Sequence, residues 1–247
     1  MTVTLTRVTI SGADDRTSIP EMRAISKEFP FVEWGILLSE SRMGRDARYP
    51  SRSWINRLTD ESHAMGKPMQ LSAHLCGSYA RSLMDGDIRA LSGLADHFHR
   101  VQINGFDAAV AAGFMEATRD PLPNFEFILQ AQSERTLHAC TWVASMVTRN
   151  TCSVLFDPSG GRNIDLLSAG LPRRAEAWLP LGFAGGISPE NVVSVVSRLE
   201  GHGFLTGNRA LTWIDMESGV RSGDDALDLG KVVDVLTRMK SRVRAWE

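Results

Sequence analysis

The sequence predicts a single α/β domain, residues 1–247, folded as a (β/α)8 TIM barrel, and three observations carry that prediction. Short apolar, strand-like runs alternate with helix-like stretches eight times along the 247 residues, the order expected of parallel strands joined by crossover helices. No linker, composition break or low-complexity segment interrupts them, and eight units in about 250 residues is the size of a closed barrel. The GxGxxG fingerprint that an open dinucleotide-binding sheet carries after its first strand is missing after "TRVTISG". The open doubly wound sheet is the less favoured alternative.

The units follow in order. The first strand, Thr6–Gly12, leads into "SIPEMRAISKEF", where Pro20 suits a first helical turn. The second, Phe31–Ser39, is followed by a charge-rich loop and "SRSWINRLTDESHAMG". The third, Pro68–Gly77, opens a long, mostly helical stretch through "GDIRALSGLADH". The fourth, Arg100–Gly105, precedes "FDAAVAAGFMEAT", and the fifth, Phe125–Gln132, precedes "SERTLHACTWVASMV". The sixth, Cys152–Asp157, opens into "PSGGRN". The seventh and eighth, Leu179–Gly186 and Thr212–Gly219, end in glycine-containing loops.

Side chains alternate across a strand, which sorts the faces. In the third strand Met69, Leu71, Ala73 and Leu75 form the face toward the helices, so Gln70, Ser72, His74 and Cys76 point inward. The same rule turns Thr9 and Ser11, Glu33, Gln102 and Asn104, and Ser153, Leu155 and Asp157 into the barrel. Ser11, His74, Asn104 and Asp157 thus gather at the carboxyl ends of strands, where barrel enzymes keep their chemistry. Glu33 has a simpler role available, pairing with Arg7.

Composition narrows the function classes. Hydrophobic residues make up 43% and charged ones 23%, with a net charge of −2, which offers no electrostatic footprint for nucleic acid or an anionic membrane. The first residues lack a basic, then apolar, secretory pattern, and no apolar run approaches the roughly 20 residues of a membrane span. Three widely spaced cysteines fit a reducing cytoplasm rather than a disulfide framework. The expectation is a cytoplasmic monomer or homodimer. No CxxC, HxH or HExxH spacing points to a metal.

The segment "LGFAGGISPENVVSVVSRL" suggests an anion site. Gly185 and Gly186 end a strand without side chains, and Ser188, Pro189 and Glu190 read as a helix start whose free N–H groups attract anions. One strand later, Ser218 and Gly219 occupy the next mouth. Loops after the seventh and eighth strands often hold phosphate in barrels. The partner expected is a phosphorylated small molecule.

These residues bring a family into view. "AGGISPENV" looks like the Gly-Gly-Leu-x-Pro-Glu-Asn-Val phosphate loop of phosphoribosylanthranilate isomerase, a (β/α)8 barrel of tryptophan biosynthesis. "IDMESGV" resembles that family's Asp-Val-Ser-Ser-Gly-Val loop, with Glu217 at the first serine, and "VQING" resembles Val-Gln-Leu-His-Gly, with Asn104 for histidine. "LFDPSGGRN" is similar to the segment carrying the family's catalytic aspartate, and "DARYPS" to the loop after its second strand. The resemblance implies a cofactor-free Amadori rearrangement. Asp157 would be the general acid, and Arg48 would hold the anthranilate carboxylate.

"TISG" departs from the family's Lys-Ile-Cys-Gly, so Ser11 stands where the basic cysteine does. A serine hydroxyl acts only beside another base, and inward-facing His74 is the first candidate to supply it. His74, Asn104 and Gln130 also suit a re-tooled pocket. Three readings stay open: this isomerase, an enzyme of another phosphorylated metabolite, or a ligand-binding protein without turnover.

Overall fold

The computed structural model describes residues 5–94, 96–118, 126–147, 151–160, 164–172, 179–205 and 211–243. Phe125 at the start of the expected fifth strand and Gly161, Arg162 and Asn163 of the sixth loop lie outside them. Eight parallel strands close into one barrel in sequence order. They are β1 (Arg7–Ser11), β2 (Val32–Leu38), β3 (Gln70–Leu75), β4 (Arg100–Ile103), β5 (Glu126–Ala131), β6 (Thr151–Phe156), β7 (Leu181–Phe183) and β8 (Thr212–Met216). The helices between them are α1 (Ile19–Glu28), α2 (Arg52–His63), α3 (Ser78–Met84), α4 (Ala112–Ala117), α5 (Glu134–Met146), α6 (Leu166–Ala169) and α7 (Val192–Gly201), and α8 (Leu229–Met239) follows β8. β1 pairs with both β2 and β8, which closes the ring. The (β/α)8 fold expected from the alternation is the fold observed.

Local sequence explains the helix starts. Ser18, Ser51, Ser133 and Asp228 each accept a first-turn N–H at the heads of α1, α2, α5 and α8, satisfying donors that a helix start leaves open. Two expectations need correction. The stretch after β3 is not one long helix, because Gly86 (φ 90) ends α3 and only a short 3-10 turn, Ile88–Leu91, follows. Nor does α7 begin at Pro189. Ser188 heads a turn, its carbonyl accepting from Asn191 and Val192, and regular helix starts at Val192. The Ser188 hydroxyl donates to Glu190 rather than capping, at 2.6 Å.

The main apolar core lies between sheet and helices and includes Met69, Leu71, Ala73 and Leu75. The barrel interior is different. At its floor Arg100 donates to Glu33 at 2.8 Å and to Glu126 at 2.9 Å, and Arg7 donates to Glu33 at 2.9 Å. Burial opposes the charge on Glu33, but the Arg100 and Arg7 charges and the Thr9 hydroxyl outweigh it and hold its pKa at about 2. Above this layer Trp213 lies against the Arg100 guanidinium, 4.2 Å from carbon to ring centre, and packs with Ile128, Leu155 and Ala184. Gly182 leaves the room it needs, since a Cβ there would sit 2.2 Å from the indole. Ionic floor and aromatic plug close one end, so the cavity opens only at the carboxyl ends of the strands.

Candidate active site

Above the plug lies a cavity of ≈ 700 Å³ at the strand mouths. Strand alternation places its walls: Ser11 on β1, His74 on β3 and Asp215 on β8 project inward near the strand ends, and Asp157 follows β6 directly. Ser11, His74, Asn104, Gln130, Asp157, Gly185, Gly186, Ser218, Gly219 and Arg48 all border this one space. Ser188 stands just behind it, where the bare Cα of Gly219 meets the loop: a Cβ on Gly219 would lie 2.0 Å from the Ile187 carbonyl oxygen and 2.9 Å from the Ser188 Cβ.

Asp157 is held by three donors. Gln130 Nε2 reaches one carboxylate oxygen at 2.8 Å, while the Ser159 N–H and hydroxyl reach the other at 3.1 and 2.6 Å. Gln130 is itself fixed by the Gly105 N–H at 2.7 Å. The aspartate is therefore aimed, not free to swing.

On the facing wall Ser11 Oγ donates to Asp215 Oδ1 at 2.8 Å. Burial raises the Asp215 pKa; the Ser11 bond opposes this, while the charges of Glu217, Glu33 and Asp157 add to it, and the result is about 8. Sequence reasoning did not single out Asp215. The signal was present, because Trp213 and Asp215 occupy alternate positions of β8 and share its inner face, and Glu217 continues the alternation one residue past its end. His74 stands near Ser11 across Gly35, whose missing side chain is what lets them approach. A Cβ on Gly35 would sit 2.3 Å from Ser11 Oγ and 2.6 Å from His74 Cε1. Burial pulls the His74 pKa down to about 4, with Glu33 opposing and Arg100 assisting, and its Nε2 has no hydrogen-bond partner. His74 is thus a neutral imidazole at pH 7 and a far weaker base than Asp215.

Asn104 is tied into an amide relay, accepting from Gln102 at 2.8 Å and donating to Cys76 Sγ at 3.1 Å. Burial raises the Cys76 thiol pKa, so it stays protonated. Gly185 and Gly186 both have positive φ, 118° and 59°, where glycine costs least. Among the described residues the N–H groups of Gly186 and Ile187 donate to no protein acceptor, which leaves them available to an anion.

Arg48 is placed differently from the other lining residues. Its guanidinium donates to Glu217 at 2.7 Å and to Asp225 through Nη2 at 2.8 Å and Nε at 3.3 Å. Arg48 (φ 73) and Asp225 (φ 58) are the non-glycine residues with positive φ among those described. The Arg48 N–H is held by Asp14 at 3.1 Å. Strained backbone at both partners of one ion pair marks a geometry that the surroundings enforce. Among the described residues, no three His, Cys, Asp or Glu side chains are grouped to hold a metal, and no helix is long and apolar enough to cross a membrane.

No family model and no curated protein sequence matches the chain. Solved structures do. Phosphoribosylanthranilate isomerase from Thermus thermophilus is 14% identical, with a TM-score of 0.58 over 96% of this chain and 99% of that one. Monomers generated from the dimeric enzyme of Thermotoga maritima are 16% identical, with a TM-score of 0.54 over 95% and 98%. A phosphoribosylanthranilate isomerase in complex with a reduced carboxyphenylamino-deoxyribulose 5-phosphate is 15% identical, with a TM-score of 0.55 over 95% and 98%. At this identity the likeness establishes the barrel.

Proposed function

We propose that this barrel is an isomerase of a phosphorylated sugar derivative, working by proton transfer in an Amadori-type aldose–ketose rearrangement. The observation that carries the reading is convergence: Asp157, the Ser11–Asp215 pair and the bare loops at Gly185–Gly186 and Ser218–Gly219 border a single cavity. The phosphate rests on the free N–H groups of the seventh loop, with Gly219 beside it. Asp157 protonates the ring oxygen of the sugar and the furanose opens to a Schiff base. Asp215, reached directly or through the Ser11 hydroxyl, takes the C2 proton, and the resulting enolamine ketonises. Asp215 ends protonated and Asp157 ionised, and exchange with water resets both.

This arrangement answers the Ser11 substitution. A serine needs an adjacent base, and a carboxylate with a pKa of about 8 removes a carbon-bound proton far better than an ordinary one. His74, at about 4, does not compete. The names of the structural neighbours agree with a phosphorylated substrate. The expected test result is turnover of at least one member of a panel of phosphosugar amines, with D157N and D215N each reducing kcat by about 10²–10⁴. The rate should rise as pH approaches 8, where Asp215 becomes half ionised. Folded protein that turns over none of the panel, or D157N at full speed, would sink the proposal. Complementation of a tryptophan auxotroph lacking the isomerase tests the narrower identity separately, and its failure leaves the broader proposal standing.

A further inference from the structure

The Arg48 fork bears on what the substrate carries at its other end. A guanidinium recognises a carboxylate by presenting two parallel N–H groups, and here those groups are taken. Asp225 accepts from Nη2 and Nε, and Nη1 reaches both Glu217, at 2.7 Å, and Ser218 Oγ, at 3.2 Å. Asp225 is further fixed by Arg221 Nε at 2.7 Å, and Arg221 is anchored to the Gly12 carbonyl at 2.6 Å. Gly12, at φ 87, makes room for this network, since a Cβ there would lie 2.9 Å from Arg221 Nη1 and 3.2 Å from Glu217 Cγ. The other arginine among the described lining residues, Arg42, is likewise engaged, by Asp46 at 2.6 Å and Tyr49 at 2.9 Å. An incoming carboxylate would have to displace the bidentate Asp225 and enter beside Glu217.

Building on the proposed phosphosugar reading, we infer that the substrate is a phosphorylated sugar amine whose non-phosphate end is uncharged or cationic, not a carboxylate. Arg48 then serves to hold Glu217 and Asp225 in place, and Glu217 is the group that faces this end of the substrate.

Equilibrium binding of two unreactive probes tests the inference: the reduced phenylamino-deoxyribitol 5-phosphate and its ortho-carboxyl counterpart, with inorganic phosphate as competitor. The expected result is at least tenfold tighter binding of the phenyl compound to the wild-type protein. In the D225N variant, which takes the carboxylate from the bidentate side of the fork without changing side-chain size, the carboxylated probe should gain at least tenfold while the phenyl probe stays within twofold. Equal affinities, or a preference for the carboxylate in the wild type, overturn the inference while phosphate competition leaves the anion site standing. If neither probe nor phosphate binds folded protein, both the anion-site reading and the end-group preference are overturned.

Discussion

Asp215 shows how much one buried side chain can set. It is 5% exposed and carries a pKa raised from 3.8 to about 8. Between these values the folded protein keeps a proton that the unfolded chain has released. Stability from this group is therefore fully present below about pH 4 and is lost as pH rises to 8, at about 1.4 kcal/mol per pH unit. Asparagine keeps the shape and removes the titration. D215N should be more stable than the wild type at pH 8–9 and lose that advantage toward pH 4, as read by urea unfolding at several pH values. Parallel pH profiles for the two proteins would show that Asp215 is not the buried acid described. The sequence contained this residue's inward parity, but not its isolation: burial and the approach of Glu33 and Asp157 come from strands distant in the chain. Asp157 was legible because strand end, inward parity and a motif coincide there.

At the level of single elements, β2 is the instructive strand. "FVEWGILLS" reads as a buried strand weakened by a central glycine, since glycine in a strand loses entropy and packs nothing. In the fold Gly35 is the point over which Ser11 and His74 approach each other. G35A should push Ser11 away from Asp215, costing about 1–3 kcal/mol of stability through overpacking and reducing turnover well beyond that. The control is G66A, at a position where nothing lies within 4 Å of an added Cβ. If G35A matched that control in both melting temperature and rate, the crowding would be unimportant. The seventh unit was less legible for a related reason. Ser-Pro-Glu has the residue types of a helix start, but the Asn191 side chain takes the Ser188 N–H at 2.9 Å and binds the Gly186 carbonyl at 2.8 Å. That local competition delays α7 to Val192 and keeps the glycine loop in shape. Residue type alone could not rank the two patterns.

Across the whole molecule, the barrel separates stability from chemistry along its axis. The floor is an ionic layer in which Arg100, 1% exposed, bridges Glu33 and Glu126, and the mouth holds the candidate catalytic groups. Alternation predicted that Glu33 points inward, with pairing to Arg7 as one role open to it. It did not reveal Arg100, 67 residues further along the chain, because charge pairing across a barrel depends on register between strands that are not neighbours in sequence. Removing one partner of a buried ion pair leaves an uncompensated charge and typically costs about 3–5 kcal/mol. R100M should therefore lower the melting temperature by on the order of 10 °C for a chain of this size. Its folded form, assayed well below that transition, should bind inorganic phosphate within twofold of the wild type. Trp213, Ile128 and Leu155 stand between the two ends and keep the packing of the anion loops out of contact with the change. D157N should show the converse, a near-native melting temperature with lost turnover. Loss of phosphate binding in a still-folded R100M would mean that floor and mouth act as one electrostatic unit, with the Glu33 charge reaching Asp215 through the plug strongly enough to govern the site.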